Sequence, residues 1–111
     1  TVLRLEGVIG AGVRLGATAL TDARLAPMIE AAFRRGKPRA VALAVNSPGG
    51  SAAQSSLIAA RIRRLADEKG VPVHAFVEDV AASGGYWLAT AADRIYVDPN
   101  SIVGSIGVIS A

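Results

Sequence analysis

The sequence has 111 residues, of which 51% are hydrophobic and 19% charged, a composition that suits one small folded domain and excludes a disordered chain. Its formal net charge is +3, and the basic residues are spread out with few aromatics between them, which disfavours nucleic-acid binding. It contains no cysteine, which excludes disulfides and thiolate metal sites, and no apolar run of about 18 residues that could span a membrane.

Predicted strands and helices alternate along the chain. The predicted strands are 1–9, 40–45, 71–77 and 94–97. The predicted helices run from Leu20 to Gly36, from Ser51 to Lys69, and through the apolar segment after Ser83. The second of these helices carries an apolar stripe formed by Leu57, Ile58, Ile62 and Leu65. The alternation predicts an α/β fold, with a mainly parallel sheet and flanking helices.

A glycine-containing segment, 10–16, follows the first predicted strand and is similar to a dinucleotide-binding fingerprint. Its glycines are spaced G-x-G-x-x-x-G rather than G-x-G-x-x-G, and the helix that should begin on them starts only near Thr21. No acidic residue ends a plausible second strand. We therefore interpret the segment as a flexible loop.

The segment 81–87 places one serine, Ser83, between a predicted strand and a predicted helix, with two glycines directly after it. A serine at such a turn can present its hydroxyl at a helix N-terminus, where free N–H groups and the helix dipole favour developing negative charge. Acyl-transfer chemistry requires such a setting for its nucleophile. Taken alone, however, the pattern is more often that of a serine that simply caps a helix.

Two further glycine-containing motifs flank this segment. The motif N-S-P-G-G-S, at 46–51, directly follows the second predicted strand. Its proline fixes φ and removes one N–H, while its two glycines can bring bare amides close to a ligand. The motif G-S-I-G-V, at 104–108, leads into an apolar segment. Each motif alone is weak, since the first is typical of any βα turn and glycine in a strand often marks only a bulge.

Together, in this order and spacing, the motifs N-S-P-G-G, A-S-G-G-Y and G-S-I-G-V resemble those of the signal peptide peptidase A family of serine peptidases, including its SohB-like members. The resemblance extends from about Val41 to the C-terminus and, more loosely, over the N-terminal strand and helix, and it implies a Clp protease/crotonase-like fold. It implies that Ser83 is the catalytic nucleophile and that Ser105 helps to orient the base. It also implies an oxyanion hole formed by the N–H group of Gly84 and that of either Gly49 or Gly50, and from the turn we expect Gly50. The residues that we expect to bind substrate are Gly49, Val80 and Ile106.

The general base that a serine nucleophile needs is not evident in the chain. The only histidine, His74, lies in the strand before Ser83, and we interpret it as a packed or edge residue. The family uses a lysine in a Ser–Lys dyad, and burial would have to lower the pKa of that lysine from about 10.4. Lys37 and Lys69 are both predicted to be solvated. We therefore expect 1–111 to be a single partial peptidase domain, inactive by itself, with the lysine outside the chain.

The resemblance implies a serine endopeptidase that hydrolyses signal-peptide remnants or other membrane-derived peptides through an acyl-enzyme, with no metal or organic cofactor. It implies a homo-oligomer, in a bacterial protein that is either associated with the inner membrane or cytoplasmic. No membrane anchor is expected within the chain itself, although the parent protein of such a family member can carry one.

Two alternatives stay open. A crotonase-like acyl-CoA enzyme would use the same oxyanion geometry and would need a carboxylate near the thioester, for which Glu78 and Asp79 are candidates. A non-catalytic half or scaffold of a two-repeat peptidase would leave Ser83 to act with a lysine from another half or subunit.

Overall fold

The computed structural model describes residues 1–10 and 19–104. In these residues the strands are β1 (Val2–Glu6), β2 (Val41–Ser47), β3 (Val73–Ala82), β4 (Arg94–Val97) and β5 (Ile102–Gly104). The helices are α1 (Asp22–Arg34), α2 (Ala52–Lys69) and α3 (Gly84–Thr90). The predicted alternation of strands and helices is therefore confirmed.

All five strands belong to one parallel sheet, in the order β1-β2-β3-β4. β4 pairs with β3 from His74 to Val77, and β5 pairs with β3 from Val80 to Ala82. The two short strands thus follow one another along the edge of β3 that β2 leaves free. The prediction ended β3 too early, at Val77, because the charged residues Glu78 and Asp79 interrupt the alternation of apolar residues by which a strand is recognised.

The three helices cover one face of the sheet. Alternate residues of β1, β2 and β3 are buried in the same apolar core as the inner faces of α1 and α2. On the opposite face the rings of Phe76 and Tyr96 stack with their centroids 5.0 Å apart, and each residue is 46% exposed. None of the helices described is long and apolar enough to cross a membrane.

Helix boundaries follow from capping residues in the sequence. The hydroxyls of Thr21 and Ser51 accept N–H groups in the first turns of α1 and α2, at 3.2 and 3.1 Å, and Gly70 ends α2 in the left-handed conformation. The predicted apolar stripe of α2 was wrong at Leu57, which is 51% exposed. The inward position one turn before Ile58 and Ala59 belongs instead to Ser55, as a helical period of 3.6 residues requires.

An ion-pair network joins α1 to α2. The guanidinium of Arg61 donates to both carboxylate oxygens of Asp22, at 2.8 and 2.9 Å, and to Glu30 at 3.0 Å. The side chains of Arg61 and Asp22 are both mostly buried. The hydrogen bonds from Arg61 hold the pKa of Asp22 below its ordinary value of 3.8, because they stabilise the ionised carboxylate.

We expect Asp22→Asn to destabilise the protein by about 1 kcal/mol at neutral pH, because it breaks a charged hydrogen-bonded pair. Since the pKa is lower in the folded state, the stabilisation is fully present above about 3.8 and is lost as the pH falls through the folded-state pKa. Urea unfolding of both proteins from neutral pH downward would measure this. The difference should shrink in acid. A difference that is constant with pH would contradict the assignment.

Candidate active site

Ser83 occupies a strained turn between β3 and α3. Its backbone has φ +52° and ψ −118°, a region that residues with a side chain rarely adopt. Although Ser83 lies at the N-cap position, its side chain makes no capping hydrogen bond, and the residue is exposed. The simpler interpretation of a capping serine is therefore wrong. A strained strand-to-helix turn that exposes a serine hydroxyl is the geometry of a nucleophile elbow.

The segment 46–51 contains the end of β2 and the turn that follows it, and it begins with an irregularity in the sheet. The register between β2 and β3 shifts between Val45 and Ser47. At this point the side-chain oxygen of Asn46 accepts the N–H of Val80 at 3.2 Å. The backbone oxygen of Asn46 accepts a hydrogen bond from the N–H of Gly7 at 3.0 Å. Asn46 therefore satisfies a strand N–H that regular pairing would otherwise have satisfied.

Gly49 packs directly against the Ser83 turn. A Cβ added at Gly49 would lie 2.9 Å from each of three atoms, namely Ala82 O, Gly84 N and Ser83 Cβ. Real Cβ atoms essentially never make such short contacts, and the φ of Gly49 is +105°. Glycine is therefore required here by both space and conformation, and it brings the two turns together.

The peptide between Gly49 and Gly50 is held in one orientation by Ile9. The N–H of Ile9 donates to Gly49 O at 2.9 Å, and the N–H of Ser51 donates to Ile9 O at 2.8 Å. In a trans peptide the N–H points opposite to the C=O, so the Gly50 N–H is directed away from the Ile9 N–H. No hydrogen-bond acceptor for the Gly50 N–H occurs among the residues that the structure describes.

A pocket of about 430 Å³ opens beside Ser83 and has mainly apolar walls. The residues that line this Ser83 pocket are Gly50, Ala52, Ser83, Gly84, Tyr86, Trp87 and Thr90. The structure thus brings together three of the residues singled out in the sequence, Ser83, Gly50 and Gly84. Gly49 lies behind them, and Val80 pairs with Ile102 in the sheet and does not line the pocket. Ser105 and Ile106 lie outside the described residues, as does most of the 10–16 segment.

The basic side chains of interest lie far from Ser83. His74 is at the opposite end of β3, half-buried on the open face beside Tyr96, and its buried Nδ1 has no hydrogen-bond partner among the described residues. Lys37 and Lys69 are exposed and precede β2 and β3, whereas Ser83 follows the carboxyl end of β3. Because the strands are parallel, both lysines lie at the amino ends of the strands, opposite the end at which Ser83 lies.

The two carboxylates considered for acyl-CoA chemistry do not line the Ser83 pocket. Glu78 forms an ion pair with Arg4 at 3.1 Å, and both side chains are largely exposed. Together with Asp79, it borders a separate surface depression. No carboxylate among the described residues lines the pocket beside Ser83.

Sequence reasoning missed two buried serines beneath these turns. Ser47 and Ser55 are fully buried. The hydroxyl of Ser47 accepts the N–H of Gly49 at 3.1 Å, and the hydroxyl of Ser55 donates to Ser51 O at 2.7 Å beneath Gly84. The signal for Ser47 was its place in the N-S-P-G-G motif, and the signal for Ser55 was its position on the inner face of α2.

Comparison with known proteins identifies relatives of this chain. The family model described as "Peptidase family S49" matches residues 65–111. A protein from Haemophilus influenzae named Protease 4 is 39% identical over 109 residues, which are 98% of this chain and 17% of that protein. A protein from Brucella melitensis named Na(+)/H(+) antiporter NhaA is 53% identical over 110 residues, which are 99% of this chain. The chain spans only 15% of that relative's length.

Among solved structures, the chain is similar to one of a mutant form of the 1510-N membrane-bound stomatin-specific protease. The TM-score is 0.67 over 90% of this chain and 44% of the other, with 21% sequence identity. At this level of identity the similarity concerns the fold. It agrees with the Clp protease/crotonase-like fold expected from the sequence.

Proposed function

Because this chain belongs to peptidase family S49, we propose that it is the nucleophile-bearing part of a serine endopeptidase. In this proposal Ser83 is the nucleophile, and the N–H groups of Gly50 and Gly84 form the oxyanion hole. The observation that carries the proposal is the Ser83 turn itself. A positive φ at a non-glycine residue is costly, and here it holds a hydroxyl without a capping bond at the mouth of a pocket.

The proposed reaction proceeds through an acyl-enzyme. The Ser83 oxygen attacks the carbonyl carbon of the scissile peptide while a base removes the hydroxyl proton. The carbonyl oxygen becomes negative and is stabilised by the two amide groups. The carbon–nitrogen bond then breaks, the protonated base gives its proton to the leaving amine, and water hydrolyses the resulting ester. Each N–H donor of this kind typically contributes about 10²–10³-fold to turnover.

We propose that the base is a lysine supplied from outside residues 1–111. Support comes from the placement of Lys37 and Lys69 at the amino ends of the strands, where neither can reach Ser83. His74 lies at the far end of β3 and is excluded for the same reason. We further propose that Ser105 orients this lysine, on the basis of the family motif alone. A segment that lacks its base is expected to be inactive by itself.

The proposed substrates are peptides, including signal-peptide remnants, that place an apolar side chain in the Ser83 pocket. The mainly apolar walls of that pocket support this choice. Gly49, Val80 and Ile106 remain proposed substrate-binding residues, and Val80 would act from within the sheet rather than from the pocket. We also propose a homo-oligomer, in which other parts of the assembly cover the exposed Phe76–Tyr96 face.

The proposal can be tested by labelling the complete protein that contains these residues with a fluorophosphonate probe. We expect one modified serine, which mass spectrometry of the digested protein should place at Ser83. Ser56→Ala changes an exposed serine of α2 that lies outside the Ser83 pocket. It serves as the control for loss of a serine that the proposal does not involve, and it should be labelled as the wild type is. If the folded protein is not labelled, or is labelled at another serine, the peptidase proposal fails and acyl-CoA binding becomes the next measurement.

A further inference from the structure

Ser47 is a buried polar residue at the end of β2, directly before the turn that carries Gly49 and Gly50. It is completely inaccessible to solvent, and its hydroxyl accepts the N–H of Gly49 at 3.1 Å. Burying a hydroxyl and an amide costs free energy unless the two groups form a hydrogen bond. We therefore expect this hydrogen bond to stay formed in the folded protein.

Among the residues that the structure describes, the hydrogen bonds of this turn leave a single N–H group without an acceptor. Pro48 has none, the Gly49 N–H is taken by Ser47, and the Ser51 N–H is taken by Ile9. Only the Gly50 N–H lacks an acceptor among the described residues, and Gly50 is the residue of this turn's glycine pair that lines the Ser83 pocket. The pattern of bonds therefore determines which amide is available to a ligand.

Because the turn contains two glycines, other contacts must fix which of its N–H groups faces the pocket. Gly49 and Gly50 have φ values of +105° and +144°, and a Gly-Gly pair can rotate into many other conformations. The peptide between them is fixed on its carbonyl side by Ile9, and the preceding peptide is fixed on its N–H side by Ser47. Without the Ser47 hydroxyl, the Gly49 N–H would be buried without an acceptor, and rotation of the turn would relieve that cost.

We infer that Ser47 is a positioning residue whose hydroxyl holds the Gly49 amide out of the Ser83 pocket, so that the Gly50 N–H alone serves as the donor from this turn. The inference rests on the proposed function. Ser47 does not line the pocket and is not itself a catalytic residue. Its effect should fall on the transition state, because donors in an oxyanion hole act on the charge that develops there.

The test compares Ser47→Ala and Ser47→Cys in the complete protein, with peptide hydrolysis as the assay. We expect Ser47→Ala to lower kcat about 10–100-fold with KM changed less than about three-fold, since the donor is misplaced rather than deleted. Ser47→Cys fills the space with a weaker acceptor and should give a smaller loss of kcat. The pH dependence of kcat should stay unchanged in both variants, because the base is not affected.

Thr21→Ala is the matched control for loss of stability. Like Ser47, Thr21 has a hydroxyl that accepts a backbone N–H, and this variant removes it. Thr21 lies outside the Ser83 pocket. This control should lower the melting temperature and leave kcat unchanged. If Ser47→Ala and Ser47→Cys also lower only the melting temperature, the inference is overturned and Ser47 is a structural hydroxyl.

Failure of the inference and failure of the proposed function give different results. Wild-type protein that is not labelled at Ser83 by a fluorophosphonate overturns the peptidase proposal and this inference with it. Wild-type protein that is labelled, together with a folded Ser47→Ala variant that is labelled and turns over equally fast, overturns only the role of Ser47.

Discussion

Replacing Ser83 with alanine or with glycine is expected to lower peptide hydrolysis by the complete protein about 10⁴-fold or more, because either change removes the proposed nucleophile. The two variants should nevertheless differ in stability. Ser83 holds φ at +52°, and such a conformation costs a residue with a side chain on the order of 1–3 kcal/mol. Glycine relieves this strain, whereas alanine keeps it.

The expected difference is about 1 kcal/mol in favour of Ser83→Gly, because the greater freedom of glycine in the unfolded chain offsets part of the relief. Denaturant unfolding of the two inactive variants measures it directly, without any assumption about substrate. Greater stability of Ser83→Gly together with loss of activity would tie the strain to the catalytic turn. Equal stability would mean that the turn is not strained in solution, and the nucleophile-elbow interpretation would lose its main support.

The second large effect is expected at Gly85, the second residue of α3. A Cβ added there would overlap the backbone oxygen of Ser47, which cannot move without disturbing β2. Alanine is favoured over glycine in a helix by about 1 kcal/mol. Overlap with a fixed backbone atom typically costs more, and we expect Gly85→Ala to destabilise the protein by about 3 kcal/mol or more.

Gly84 provides the matched comparison. A Cβ at this position would overlap the Ser55 hydroxyl, the end of a side chain that can be removed by mutation. Gly84→Ala should therefore cost less, about 1–2 kcal/mol, and adding Ser55→Ala should recover part of that loss. The same addition should recover nothing in Gly85→Ala. A double-mutant cycle by denaturant unfolding measures both couplings, and equal coupling at the two glycines would contradict the packing described here.

Much of the fold could be predicted because local signals agree with it. Ser51 caps α2, Gly70 ends it, and the strand at 94–97 was placed at its observed limits. The errors have definite causes. Charged residues interrupt the apolar alternation in the second half of β3, so that half was not predicted as strand. The position of β5 depends on its pairing with β3, which no local pattern shows.

The candidate site was predicted only in part. The motifs singled out Ser83, Gly50 and Gly84, and the structure places all three around one pocket. They did not indicate the strained φ of Ser83 or the hydrogen bond from Gly49 to Ser47. The packing of Gly49 against the Ser83 turn depends on the approach of two turns that are far apart in sequence, and a sequence pattern carries no information about such a contact unless the family is already known.

The attachment of the Gly49–Gly50 turn to Ile9 has a consequence for the order of folding. The Ser83 turn joins the neighbouring elements β3 and α3, whereas the bonds to Ile9 require a distant part of the chain to be in place. A folding intermediate without β1 in place would therefore present the serine without a fixed Gly50 amide. In the proposed peptidase, such an intermediate would lack one positioned donor of the oxyanion hole.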